Sequence, residues 1–249
     1  MDRANAIAGQ PGAAAVLGLP RLHLRRTDST NDRARALAIR GAPHGTLVTA
    51  GEQSAGRGRQ GRTWTAPAGR ALLCSLLIRE RPPLLALAAG VAVAELAGPD
   101  AQLKWPNDVL LGGRKVAGIL VEGRPQEHWA VVGIGVNVAL SEQDLPRELR
   151  DRAGTLAMGV ERIEPMLERL LHGLQRWITA EAQSVLEVVR MRDALLDRPV
   201  RWIGGDGVGA GIDGEGRLLV LTATGRVALE AGEVHLAGCP GSPDAVRQA

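Results

Sequence analysis

The chain has 249 residues, of which 45% are hydrophobic and 23% charged, with a formal net charge of +3. That composition can bury a core, which excludes a disordered chain and a disulfide-stapled miniprotein, and the charge alone implies no nucleic-acid partner. The longest apolar run, residues 84–94, is about half the roughly 20 residues a bilayer requires, so no membrane span is expected. Cys74 and Cys239 lie far apart without C-x-x-C spacing, which fits a reducing compartment, with the cytoplasm as the expected location, and argues against zinc.

The basic residues are skewed. Of 30, only Lys104 and Lys115 are lysine, and Phe and Tyr are absent. A drift that turns lysine into arginine wherever either serves leaves lysine where a compact ammonium or a titratable amine is needed. Both lysines fall in LKWPNDVLLGGRKVAG, and three of the four asparagines fall in unusual segments: Asn107 in this one, Asn31 and Asn137 in others.

Residues 1–20 read as an Ala/Gly-rich disordered leader. Residues 21–26 alternate like an edge strand, and Asp28-Ser29-Thr30-Asn31 offers N-caps for a helix running to about Arg40 and closed by Gly41. TLVTAG (46–51) predicts a strand, followed by a long loop and a buried strand over 71–79. Pro82 and Pro83 precede an Ala/Leu-rich helix over 84–97, and VLL-GG-RKVAGILVE predicts a β-hairpin. Residues 128–138 predict a strand whose Gly133 and Gly135 suggest close approach to another strand or a ligand. Helical periodicity covers 161–195, and the Gly-rich tail predicts four or five short strands. The expected domains are 21–195 and 196–240, with a tail over 241–249.

Two segments concentrate chemistry. Gly56-Arg57-Gly58-Arg59-Gln60-Gly61-Arg62 sets forked donors between glycines, which suits a phosphate or carboxylate; a solvated loop or a nucleic-acid tract are the other readings. Lys104-Trp105-Pro106-Asn107-Asp108 gathers recognition groups in five residues, with Trp105 either an aromatic plate or a core residue. Lys115, across the hairpin, can project into the same cleft as Asn107 and Asp108. The five histidines show no ligand spacing, no Ser/His/Asp arrangement can be read, and Cys74 reads as a small core residue.

Taken in order, DSTN (28–31), EQSAGRGRQGRTW (52–64), LKWPND (103–108), RKVAGILVE (114–122) and GIGVNV (133–138) resemble the biotin–protein ligases. The resemblance covers roughly residues 21–238. It implies an α+β fold: a class II synthetase-like, lipoyl-ligase-like catalytic domain with a mixed sheet and helices, then a small SH3-like β-barrel. It further implies that biotin is activated on ATP, with magnesium, to biotinyl-5′-AMP and passed to a lysine of a biotin carboxyl carrier protein.

Residue by residue, the resemblance implies a biotin site of Ser29, Thr30, Asn31, Gln53, Gly56, Arg57, Gly58, Arg59 and Lys115. It implies an adenylate site of Arg59, Arg62, Trp64, Asn107, Asp108, Lys115 and Asn137, with Trp64 beside adenine. Arg59 and Lys115 are the expected catalytic residues. No resident metal is expected, Asp108 being the carboxylate nearest any magnesium that enters with ATP. The expected assembly is a monomer or homodimer. Only about 27 residues precede Asp28, so no DNA-binding repressor activity is expected. A lipoyl-type ligase and a non-catalytic biotin sensor are the alternatives.

Overall fold

A computed structural model describes residues 16–79, 81–123, 125–145 and 147–237; Cys239, most of the expected leader and the expected tail lie outside them. The last residues of that leader are packed: Leu17 is buried in the core, and the Gly18 N–H donates to the Gly45 carbonyl at 2.8 Å.

The elements run β1 (Arg21–Leu24), α1 (Thr30–Ile39), β2 (Leu47–Ala50), β3 (Ala71–Arg79), α2 (Leu85–Ala97), β4 (Gln102–Lys104), β5 (Asp108–Leu111), β6 (Arg114–Glu122) and β7 (Trp129–Asn137). Then come α3 (Ile163–Ile178), α4 (Ala182–Met191), β8 (Pro199–Trp202), β9 (Gly205–Ile212), β10 (Leu218–Thr222), β11 (Gly225–Leu229) and β12 (His235–Leu236). Strands β1 to β7 form one mixed sheet in the order β1-β2-β3-β7-β6-β5-β4, antiparallel except for the parallel β1–β2 pair.

Strand β3 reads as a continuous apolar run because both of its faces are covered. Leu72, Cys74, Leu76 and Ile78 join Ala130, Val132, Ile134 and Val136 of β7 in the core that α2 and α3 cover. The Ala-rich α2 is apolar on nearly all sides, as suits a helix buried between the sheet and α3. Burial pushes the Cys74 thiol up to about 12, so it is an inert core group. On the opposite face Leu77, Val131 and Trp129 pack with Ala34 and Ala38 of α1, while the rest of that face is left for the cleft described below. The helical periodicity over 161–195 resolves into two helices. After α3 the Thr179 hydroxyl donates to the Gln175 carbonyl at 2.8 Å, and Glu181 takes an extended conformation as the cap of α4.

Strands β8 to β12 form an antiparallel sheet in the order β11-β10-β9-β8-β12. Five strands agree with the sequence, but among the described residues β11 and β12 remain edges with no pairing between them, so the expected barrel is not seen closed. Its apolar face, with Val200, Ile212, Leu218, Val220 and Val234, is continuous with the main core. Trp105 is a core residue at this junction: it is buried, and its indole N–H donates to the Gly216 carbonyl at 3.0 Å.

Asp193 lies at the same junction. One carboxylate oxygen accepts the Leu195 N–H at 2.8 Å, while the other is buried without a partner. Burial raises its pKa above the ordinary aspartate value. A raised folded-state pKa means that the contribution to stability is full below the unfolded value and lost as pH rises through the folded one. Asp193→Asn keeps the acceptor and removes the charge. It is expected to melt above the wild type at pH 7 to 8, with the gap shrinking as pH falls into the carboxylate range; a lower melting point at pH 8 would contradict this.

Candidate active site

The uncovered part of the sheet forms the floor of a cleft of about 590 Å³. Gly118 of β6 lies opposite Gly135 of β7, and Gly133 pairs with Ser75 of β3, so three positions on this face carry no side chain. Neighbours occupy the space. A Cβ at Gly133 would overlap Asn31 Oδ1, and one at Gly135 would come within 2.5 Å of the Trp64 ring.

One end is polar and largely uncharged. Ser29 and Gln53 line it with Thr30 and Asn31 of α1. Gln53 Oε1 accepts the Thr30 N–H at 2.7 Å and the Thr30 hydroxyl at 3.0 Å. The buried Ser75 hydroxyl lies 2.6 Å from Asn31 Oδ1 and 2.8 Å from Thr30 Oγ1. Asn31 Nδ2 donates to Glu122 at 2.8 Å, so its amide is fixed at both ends. Arg57 closes the rim, bonded to Asp32 at 2.7 Å and Glu122 at 2.8 Å, with Arg35 3.1 Å from the same glutamate.

The other end is cationic. Lys115 Nζ lies 2.6 Å from Asp108 Oδ1, with Lys104 Nζ 3.9 Å from Asp108 Oδ2. The Arg59 guanidinium donates to Asn107 Oδ1 at 3.2 Å, and Asn107 Nδ2 donates to the Ile119 carbonyl at 2.9 Å. Burial lowers the pKa of both Arg59 and Lys104 from their ordinary values. A β-bulge brings Lys115 here. Asp108 pairs with Gly118 and Val109 with Ala117, but Leu110 then pairs with Lys115, skipping Val116. Without the extra residue, strict alternation would send Lys115 to the core face; with it, Lys115 shares the cleft face with Asp108 and Leu110.

The arginine–glycine loop forms the roof as a small hairpin. The Trp64 N–H donates to the Gly56 carbonyl at 2.8 Å and the Gly58 N–H to the Arg62 carbonyl at 2.7 Å, with Gln60 and Gly61 in the left-handed region at its tip. Trp64 lies on the glycine floor with Lys115 Nζ 5.6 Å from its ring centre, a cation–π distance. Its Nε1 and the Oδ1 of Asn137 are buried without partners, while Asn137 Nδ2 donates to the Gly154 carbonyl. Arg62 pairs with Glu233, which with His235 and Leu236 brings the C-terminal sheet to the cleft. Burial lowers the His235 pKa, Glu233 opposing. Such a site can hold an elongated ligand by a neutral hydrogen-bonding head and an anionic end.

Every residue of the implied biotin and adenylate sites lines this cleft except Gly56. Gly56 instead supports the roof, since a Cβ there would overlap the Trp64 carbonyl oxygen. Arg57, expected at the charged atoms of a ligand, is bonded to Asp32 and Glu122 at the polar rim, and Arg62 is bonded to Glu233. Sequence reasoning missed Ser75, Glu122 and Glu233. Ser75 was visible as a lone hydroxyl in an apolar run, whereas nothing local marks Glu233.

Residues 23–138 match the Biotin/lipoate A/B protein ligase family. The chain is 37% identical over 245 residues to the Biotin–[acetyl-CoA-carboxylase] ligase of Paracoccus denitrificans, covering 86% of this chain and 100% of that protein. The chain belongs to the biotin–protein ligase family. The resemblance carried by its five motifs is therefore a family relationship. Bifunctional ligase/repressor BirA of Bacillus subtilis is 40% identical over 154 residues, and the chain spans about half of that relative, 47% of its length. The family's biotin protein ligase from Aquifex aeolicus, in complex with biotin and ATP, superposes with a TM-score of 0.73 at 27% identity, covering 87% of this chain and 99% of that one.

Proposed function

We propose that the chain is an ATP-dependent biotin–protein ligase. The observation that carries this is a single cleft joining a neutral hydrogen-bonding end, at Ser29, Thr30, Asn31 and Gln53, to a cationic end, at Arg59, Lys104 and Lys115. A cyclic urea has an acceptor oxygen and two N–H donors, which hydroxyls and amides match; a lipoyl dithiolane offers this polar end no such hydrogen bonds, which favours biotin. The valeryl chain spans the cleft between the two ends, past the Asn31 and Trp64 side chains that lie on the glycine floor, and its carboxylate reaches Lys115. The alternatives, a lipoyl-type ligase and a sensor without catalysis, fit less well.

In the first half-reaction a carboxylate oxygen attacks the α-phosphorus of ATP, a P–O bond forms, and the bond to pyrophosphate breaks. Two anions meet in that step, so its barrier is largely electrostatic, and Lys115 and Arg59 supply positive charge where oxygens gather. Gln53, Gly58 and Arg57 frame the biotin side, with Arg57 also locking Glu122 against Asn31. Trp64, Asn107, Asn137 and Arg62 frame the adenylate, where the unpaired Trp64 Nε1 and Asn137 Oδ1 offer a donor and an acceptor. In the second half-reaction the neutral amine of a carrier lysine attacks the acyl carbon, the bond to AMP breaks, and the amine loses a proton.

Magnesium belongs with the nucleotide in this reading. Asp108 already has both lysines on it, and among the described residues no three His, Cys, Asp or Glu groups converge. These residues do not fit a resident divalent cation, and magnesium that enters with a nucleotide commonly keeps several waters and is held by the phosphates with one or two carboxylates, without a dedicated protein cage. The C-terminal sheet is read as the open form of an SH3-like barrel, the acceptor as a carboxyl carrier domain, and the assembly as a monomer or homodimer. No described helix is long and apolar enough to cross a membrane; the cysteine spacing supports a cytoplasmic setting.

The test is transfer of labelled biotin to an isolated biotin carboxyl carrier domain. Label should appear on the carrier only with ATP, and a carrier whose acceptor lysine is changed to arginine should stay unlabelled. ATP-independent labelling, or none from folded enzyme, would contradict the assignment.

A further inference from the structure

Sequence comparison within the chain isolates two lysines among 30 basic residues, and the fold brings both to the two oxygens of one carboxylate. Only one of them has a role so far. Lys115 makes the short contact to Asp108, 2.6 Å, yet in the proposed reaction it must turn toward the ligand's carboxyl and phosphate oxygens. Asp108 is then a carboxylate whose side chain is 12% exposed, facing an incoming anion without its nearest counter-ion. A largely enclosed carboxylate left that way is driven to swing aside.

We propose that Lys104 is a positioning residue that keeps Asp108 paired and aimed while Lys115 engages the ligand. The inference rests on the reading of the cleft as an adenylating site. Lys104 stands directly opposite Asp108 in the β4–β5 register, and its ammonium is 3.9 Å from the oxygen that Lys115 does not use. A shift of under an ångström makes a close pair. The side chain of Lys104 is 17% exposed against 30% for Lys115, so the more buried lysine is the one held in reserve. Burial, Lys115 and Arg62 lower the Lys104 pKa while Asp108 and Glu233 raise it, which ties its charge to the carboxylate it serves. A guanidinium fork presents several donors in a plane and cannot replace a point charge between two neighbours, which accounts for lysine surviving at this position as well.

Four proteins test this: wild type, Lys104→Met, Asp108→Asn and the double variant, each measured for biotin-dependent pyrophosphate exchange with kcat and KM separated. Lys104→Met should lower kcat on the order of 10- to 100-fold with the biotin KM changed less than about threefold. In the Asp108→Asn background the same change should cost less than about twofold, because the group it acts through is gone. Equal losses in both backgrounds, or a loss confined to KM, would overturn the proposal. The Asp108→Asn pair leaves no unpaired carboxylate, so that comparison stands even if Lys104→Met alone fails to fold; a further tenfold loss there would be decisive against it. No exchange by the wild type would sink the underlying reading and this inference with it, whereas exchange by the wild type with additive losses would sink only the role of Lys104.

Discussion

Lys115→Arg is expected to lose about 100- to 1000-fold in the rate of biotin-dependent pyrophosphate exchange, the range seen when one preorganised charge stabiliser is removed from a transition state. The formal charge is unchanged, so the loss would come from shape. The ammonium sits between the Asp108 carboxylate, the Trp64 ring and the Gly118 backbone, with Lys115 Cε and Nζ 3.1 and 3.2 Å from where a Cβ on Gly118 would lie. A planar guanidinium does not fit there without moving Trp64 or Asp108, and its fork cannot be centred between a carboxyl oxygen and a phosphate oxygen as an ammonium can. The melting temperature should stay near that of the wild type, because the position is at the cleft and not in the core. Wild-type exchange by Lys115→Arg would remove Lys115 from the mechanism.

Gly133→Ala is expected to damage the opposite end of the cleft. The added methyl would overlap Asn31 Oδ1, and Asn31 cannot retreat cheaply because Ser75 and Glu122 hold both ends of its amide. Overpacking of this kind typically costs about 1 to 3 kcal/mol. A chain of this size should then melt some degrees lower, at about 2 to 4 °C per kcal/mol. If Asn31 reads the urea, the biotin KM should also rise by roughly tenfold or more, since about 1.4 kcal/mol of lost binding is a factor of ten. Measuring KM for biotin and for ATP separates the effects: a rise for biotin alone supports the assignment of this end, and an equal rise for both would point to general distortion.

Much of the architecture was legible because local chemistry and tertiary packing agree. Helix α1 starts at the DSTN turn as predicted, although Ser29 makes no side-chain capping bond and the Thr30 N–H goes to Gln53 instead; the apolar run sets β3 over the predicted residues, and the Gly112-Gly113 turn sets the β5–β6 hairpin. The glycines of GIGVNV announced a close approach, and the neighbours are now specific: Asn31 at Gly133 and Trp64 at Gly135. That Lys115 and Asp108 share a cleft was expected from the hairpin, whereas Lys104 joining them was legible only as proximity in the chain. That Lys115 faces the cleft depends on a one-residue bulge at Val116, which no side-chain pattern announces. Glu122 and Glu233 were out of reach for a different reason. Their partners, Arg57 and Arg62, lie 65 and 171 positions away in a chain crowded with arginine, so no spacing selects one pair among many. The break between α3 and α4 was obscured because the apolar periodicity runs on through a short turn.

The measurement that bears most directly on the central claim is exchange of labelled pyrophosphate into ATP without any carrier protein, run with biotin, with lipoate and with neither. It isolates the step for which the cationic end of the cleft is built. Exchange that depends on biotin and not on lipoate is the predicted result. Exchange with lipoate alone, or none with either acid from folded protein, would contradict the account.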